Sequence, residues 1–206
     1  TEDDDGSVLR HGDLSVLSFH ATKVFSTFEG GAIVCNSKEM KEKIDRLKNF
    51  GYIDETNINI IGSNGKMSEV NAAFGLLQLE HMDTFLRGRM NADMFYRQKL
   101  KDITGISIVI PSGQKISNFS YFPILVESDF PLSRDELFNY LKNQNIFARR
   151  YFYPVIPDFQ AYLNVGEVCD VKNAREIASK VLCLPMHAEL SSDILEYIVS
   201  TIREIK

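Results

Sequence analysis

The chain has 206 residues, a net charge of -5, 44% hydrophobic and 25% charged residues. That is enough material for one large domain or two small ones, in the balance of a soluble globular protein. Its acidic character, with cations dispersed apart from pairs such as Arg149-Arg150, argues against a general nucleic-acid binder, and no apolar run approaches the ~18 residues of a membrane span.

Residues 1–12 are polar and acidic, carry no signal-peptide pattern, and read as a loop ending at Gly12. Leu14 to Phe19 alternates Leu14, Val16 and Leu17 with Ser15 and Ser18, and Gly31 to Cys35 is a short apolar run; both read as buried strands. Between them lies the stretch from Ser18 to Gly31, with Lys23 in the loop. A lysine held against an apolar wall loses hydration, which disfavours its ammonium form and makes the amine a usable nucleophile, as Schiff-base chemistry needs. Ser18, Thr22, Ser26 and Thr27 surround it with hydroxyls able to hold a phosphate, and Gly30 and Gly31 let the backbone approach a flat ligand. The residues alone leave a second reading open: a solvated surface lysine followed by a simple Gly-Gly turn.

Ser37 is a good N-cap for a helix carrying Met40, Ile44 and Leu47, with Gly51 at its C-terminal end. Residues 52–65 read as a long polar loop with Asn57, Asn59 and Asn64. From about Met67 to Asp102 the pattern is helical. One stripe holds Met67, Val70, Phe74 and Leu77, and another Leu76, Leu79, Met82 and Leu86, which predicts burial on a broad face and a break near Gly88. The domain boundary is placed after this helix, giving 1–100 and 101–206. The second part reads as a smaller α/β unit. It has strands at Ile106 to Ile110 (before Pro111), Phe119 to Val126, Ile146 to Arg149 and Val181 to Leu184. A capping box at Ser133–Glu136 opens one helix, and a last helix starts at Ser191 or Ser192. Three scattered cysteines, Cys35, Cys169 and Cys183, fit a reducing cytoplasm. His11, His20, His81 and His187 form no metal-ligand pattern, so no metal is expected.

Ser18-Phe19-His20-Ala21-Thr22-Lys23, followed by Glu29-Gly30-Gly31 and an apolar strand, resembles the lysine segment of the pyridoxal-phosphate (PLP) nucleotide-sugar aminotransferases of the DegT/StrS family. Gly62-Ser63-Asn64-Gly65-Lys66-Met67-Ser68-Glu69 resembles a second motif of that family, G-x-N-x-[KR]-M-[ST]-[DE]. The resemblance implies an α/β fold of the aspartate-aminotransferase type (fold type I). Of that fold the chain would be the C-terminal portion: part of the large PLP-binding domain, then the small domain. Only 22 residues precede Lys23, so the aspartate that pairs with the pyridine nitrogen and the aromatic residue that stacks on the ring are expected upstream. By the same resemblance Lys23 carries PLP as a Schiff base, Ser18 bonds its phosphate, and Asn64 reaches the phosphate of the neighbouring subunit in a homodimer with shared active sites. His20, Lys66, Arg150, Tyr151 and Tyr153 are the candidate substrate contacts, the last three from Arg149-Arg150-Tyr151-Phe152-Tyr153-Pro154. The implied reaction moves an amino group, from glutamate, to a nucleotide-linked (dTDP) 3- or 4-keto-6-deoxyhexose in the cytoplasm. Two alternatives stand beside it. The PLP-dependent sugar dehydratase branch replaces the lysine with histidine, which retention of Lys23 opposes. A non-catalytic, partner-binding fragment is the other, and residues 1–206 alone are expected to bind PLP weakly.

Overall fold

In the computed structural model, which describes residues 1–110, 116–164 and 170–205, local chemistry sets most element starts. Pro111 and Cys169 lie outside the described residues. A short hairpin, β1 (Glu2–Asp3) with β2 (Gly6–Ser7), opens the chain where a loop was expected. β3 (Leu14–Ser18) and β4 (Gly31–Cys35) pair antiparallel, with Leu14 opposite Cys35 and Ser18 opposite Gly31. Helix α1 (Lys38–Leu47) begins where the Ser37 hydroxyl accepts from the Met40 N–H at 3.1 Å. It ends near Gly51, whose N–H donates to the Arg46 carbonyl. Helix α2 (Glu69–Leu100) runs 32 residues. After it come β5 (Ile106–Ile108), β6 (Phe122–Val126), α3 (Arg134–Asn143), α4 (Lys172–Lys180), β7 (Val181–Leu184) and α5 (Ser192–Arg203). The expected caps are present. Ser133 and Glu136 form a reciprocal capping box, and the Ser191 hydroxyl accepts from Ile194 N–H. Among the described residues no helix is long and apolar enough to cross a membrane.

The chain divides into two compact units, and the division falls inside α2, after Asp83. The sequence boundary after residue 100 assigns the whole helix to the first part. The first unit holds residues 1–83 and 116–118, and the second holds residues 84–110, 119–164 and 170–205. The second unit has a conventional core. β5, β6 and β7 form an antiparallel sheet in that order, and the period-2 alternation of β6 buries Phe122, Ile124 and Val126. The end of α2 contributes Ala92, Tyr96 and Leu100, spaced by one helical turn, and α3 and α5 add Leu137, Leu141, Ile198, Val199 and Ile202. Cys183 belongs to this unit's interior, where burial pushes its thiol up to about 11 and keeps it protonated at neutral pH.

Four expectations are corrected. Ile146 to Arg149 makes no strand: Arg149 alone bridges Cys183, because Asn145 just before it takes a positive φ and Tyr151 onward turns away. The β3–β4 strands are not buried. Among the described residues their sheet has two strands, and Ser15, Leu17 and Phe19 turn inward while Val16 stands 78% exposed. The broad apolar face of α2 is likewise open, with Val70, Leu76, Leu77 and Leu79 exposed. Nor does α2 break at Gly88. There the helix backbone meets the Ala188 segment so closely that a β-carbon would lie 2.2 Å from the Ala188 carbonyl oxygen. In a helix interior Gly→Ala normally gains about 1 kcal/mol. At Gly88 the sign is expected to reverse: Gly88→Ala should lower stability by roughly 1–3 kcal/mol, read from the midpoint of urea unfolding. An unchanged or raised midpoint would show that the two backbones are not held together.

Candidate active site

The lysine loop is built on the end of the β3–β4 hairpin. Beyond the Ser18–Gly31 pair, Phe19 N–H donates to the Gly30 carbonyl at 2.9 Å, and Thr27 N–H donates back to the Phe19 carbonyl at 2.9 Å. These bonds close the neck of the loop. Within it Lys23 N–H donates to the His20 carbonyl, turning the chain, and Phe19 and Phe25 meet edge to face at 4.8 Å. Lys23 is half-buried and makes neither an ion pair nor a side-chain hydrogen bond among the described residues. The other half-buried lysines are both paired: Lys99 with Glu196 at 3.3 Å and Lys180 with Glu127 at 3.1 Å. Among the described residues Lys23 is thus the half-buried lysine whose amine is uncommitted.

The loop is fastened to the first turns of α2. Thr27 is 1% exposed, and its methyl sits over Gly75, where a β-carbon would lie 2.8 Å away. Phe28, held at a positive φ of 64°, stacks on Phe74 at 4.2 Å. The carbonyl of Glu29 accepts two donors, the Thr27 hydroxyl at 2.9 Å and the Asn71 carboxamide at 2.6 Å. Sequence reasoning missed all of these partners. The one signal available was Gly75, a helix-interior glycine that costs stability unless something needs the space.

The hydroxyls divide. Thr27 is spent on the Glu29 carbonyl, and Thr22 is bonded to His20, its Oγ1 2.9 Å from Nδ1. Ser18 is exposed at the strand end; its Oγ accepts a long 3.4 Å bond from His20 N–H, which leaves it donor capacity. His20 is exposed as well, with Nε2 3.7 Å from the Glu29 carboxylate. Gly30 and Gly31 do not open space for a ligand. A β-carbon on Gly30, at φ 154°, would lie 2.5 Å from Thr27 Oγ1 and 2.7 Å from Met67 Cε, and one on Gly31 would lie 2.6 Å from the Leu17 carbonyl. Both glycines serve the protein's own packing.

Asn64 and Lys66 come from a second loop of the same unit, and the turn after α1 clamps them. Ser63 N–H donates to Leu47 O, Phe50 N–H to Ser63 O, and Gly65 N–H to Lys48 O, with Asn49 bridging Asn64. The Asn64 side chain is exposed and has no polar partner among the described residues. Lys66 Nζ donates to Asn49 Oδ1 at 2.7 Å and lies 4.7 Å from the centre of the Phe50 ring, which holds the charge in one place. The preceding loop is ordered by Asp54. Its carboxylate takes the Asn57 side chain and the Thr56 and Asn57 N–H groups, which hold it below the usual carboxylate range.

Arg150, Tyr151 and Tyr153 belong to the other unit, where each already has a partner. Arg150 donates to Asp135 at 2.8 Å and lies over Phe138. Burial pushes the Asp135 carboxyl up, but the bonds from Arg134 and Arg150 outweigh it and leave it below the usual range. Tyr151 stacks on Phe152 and meets Tyr121 edge to face. The Tyr153 ring supports the guanidinium of buried Arg134 at 4.5 Å. A groove of about 400 Å³ lies beside Lys142, Phe147, Arg149 and Arg150 in this unit. In the first unit one of about 700 Å³ is lined by Leu17, Ile33, Ile44 and Lys66. Lys23 lines neither. Among the described residues no cluster of His, Cys, Asp or Glu side chains could hold a metal ion.

The donor set at the lysine loop fits the aldehyde and phosphate ends of PLP. It offers an uncommitted amine on a fixed loop and a hydroxyl with donor capacity five residues before it. A lysine loop closed by two strands and clasped to a long helix, ahead of a small antiparallel α/β unit, matches part of the fold type I architecture of solved sugar aminotransferases. The DegT/DnrJ/EryC1/StrS aminotransferase family model matches residues 1–203, and the chain belongs to that family. It is 45% identical over 170 residues to the Escherichia coli dTDP-4-amino-4,6-dideoxy-D-glucose transaminase, covering 82% of this chain and 46% of the relative. It is 29% identical to a Campylobacter jejuni UDP-4-amino-4,6-dideoxy-N-acetyl-beta-L-altrosamine transaminase, covering 94% of this chain and 52% of that protein. The structure of DesI in the presence of its TDP-sugar product superposes with a TM-score of 0.90 at 27% identity, covering 98% of this chain and 51% of that one. The chain therefore spans about half the length of the relatives it matches.

Proposed function

We propose that this chain is the C-terminal portion of a PLP-dependent aminotransferase acting on a nucleotide-linked ketosugar. What carries the reading is Lys23: among the described residues it is the half-buried lysine with no partner, and it sits in the family's motif on a loop fastened at both ends. The relatives, transaminases of dTDP- and UDP-linked 4-amino-4,6-dideoxy sugars, support a 4-keto-6-deoxyhexose as acceptor and a dTDP carrier first. Glutamate is the proposed donor, and a homodimer with shared sites the proposed assembly. A cytoplasmic location goes with that substrate class and with free thiols at Cys35 and Cys183.

In this reading Lys23 would hold the cofactor, and its amine would be the base for the proton on the donor's α-carbon. PLP, when bound, supplies the electron sink for that carbon. Ser18 donates to the phosphate. Lys66, steadied by Asn49 and Phe50, presents a point charge to the substrate's anionic end. His20, Arg150, Tyr151 and Tyr153 are the remaining proposed substrate contacts. Arg150 would have to share its guanidinium with Asp135, which leaves a free edge for a second anion.

The test is turnover. The protein expressed from its complete coding sequence is incubated with PLP, glutamate and a panel of dTDP-, UDP- and GDP-linked ketosugars. An aminated sugar with matching 2-oxoglutarate release is expected from a dTDP-4-keto-6-deoxyhexose. Loss of the ketosugar by dehydration without amine gain would overturn the reading.

A further inference from the structure

The two motifs lie 41 residues apart between Lys23 and Asn64, yet one side chain ties their segments together. Asn71 stands in the first turn of α2, just past the second motif. Its Oδ1 accepts from the Ser68 hydroxyl at 2.9 Å, and its backbone N–H donates to the same hydroxyl at 3.2 Å. That is ordinary helix-start chemistry. Its Nδ2 does something else: it reaches the Glu29 carbonyl in the lysine loop at 2.6 Å. The same carbonyl accepts from buried Thr27, which in turn is seated over Gly75, one helical turn beyond Asn71. The stack of Phe28 on Phe74 lies between. Asn71 is the polar member of this clasp, and the loop side of the contact ends at the carbonyl from which the chain enters Gly30 and β4.

We infer that Asn71 is a positioning residue for Lys23: its carboxamide locks the lysine loop to the helix that follows the second motif. The inference rests on the reading of Lys23 as the cofactor lysine only for its catalytic consequence; the clasp itself belongs to the protein alone.

One substitution separates the clasp from the cap. In Asn71→Asp the side chain keeps its shape, and an oxygen remains to accept from Ser68. A carboxylate in the first helical turn also suits the helix dipole. What changes is the atom facing the Glu29 carbonyl, which turns from a donor into an anionic acceptor. If Asn71 only starts the helix, Asn71→Asp leaves the loop unaffected and holds or raises thermal stability. If it is the clasp, the loop opens.

The measurement is hydrogen exchange on the full-length protein without added PLP, following the amides of Phe19, Lys23, Thr27 and Glu29, all of which are hydrogen-bonded within the loop. Asn71→Asp should speed their exchange roughly tenfold or more. Amides of α5 in the other unit should be unchanged. In the PLP-loaded enzyme the same variant should lower kcat and cofactor retention together, with donor KM moving little. Unchanged exchange in the loop overturns the inference. Faster exchange combined with PLP found on a lysine other than Lys23 leaves the clasp standing and overturns the assignment of Lys23 instead.

Discussion

Replacing Lys23 by alanine in the full-length protein should abolish transamination, with kcat down by about 10⁴-fold, the upper end of what one general acid–base residue contributes. The loss should be of the chemistry and not of the fold, because the Lys23 side chain makes no ion pair or hydrogen bond among the described residues, and the loop is held by the bonds of Phe19, Thr27 and Asn71. Circular dichroism and the urea midpoint of Lys23→Ala should therefore match the parent. The competing lysines can be weighed from their partners. Lys41 and Lys48 both reach Asp45, Lys38 pairs with Glu42, and Lys66 is bonded to Asn49. Hydrogen bonding and the charge of Asp45 push the Lys41 amine up, which makes it a poorer nucleophile at neutral pH. Borohydride reduction of the PLP-loaded protein followed by peptide mapping should place the label on the peptide containing Lys23. Label on Lys66 or any other lysine would falsify the assignment.

How far the sequence could be read depended on how local each feature is. Ser37, Ser133 with Glu136, and Ser191 cap helices through bonds spanning three residues, so their patterns are visible in the string and hold in the structure. The strand pair flanking Lys23 was also legible, because alternation in Leu14 to Ser18 and the apolar run at Gly31 to Cys35 are local signals. What those strands face is not local, and the expected burial was wrong for Val16 and Ile33. Helix α4 escaped notice for the opposite reason. Lys172–Lys180 follows Val171, which provides no side-chain cap, and carries few apolar residues besides Ile177 and Ala178. At the candidate site the motifs pointed to Ser18, Lys23, Asn64 and Lys66, but not to the residues that hold them. Asn71 meets Glu29 across 42 positions, and Asn49 meets Lys66 across 17. Gly88 shows the same limit: a glycine in a helix reads as a weak point until the segment lying against it is known.

Asn64→Ala should weaken PLP binding by one to two decades and should be rescued by a second chain. The Asn64 backbone is fixed by the bridge to Asn49 and by the bond from Gly65 N–H to Lys48 O, so its loop does not depend on the side chain. An asparagine kept for turn geometry would bond its own backbone two residues on, as Asp54 does with Thr56. Asn64 makes no such bond and is exposed, leaving its carboxamide available to a group outside this chain. In the proposed dimer that group is the phosphate of the cofactor carried on the neighbour's Lys23, the phosphate to which the neighbour's Ser18 also donates. Losing one hydrogen bond to a charged group costs roughly 1.5–3 kcal/mol, which is about one to two decades in affinity. The loop should keep its fold in Asn64→Ala, since only an unpartnered side chain is removed. Because the amine and the amide would then come from different chains, full-length Lys23→Ala and Asn64→Ala subunits should complement each other. A mixed dimer has one site with both groups intact, so at a PLP concentration too low to fill Asn64→Ala homodimers subunit exchange should restore up to about a quarter of the parent activity if pairing is random. Exchange confirmed by mass tagging, with no activity recovered, would mean that Asn64 acts within its own chain or not at all.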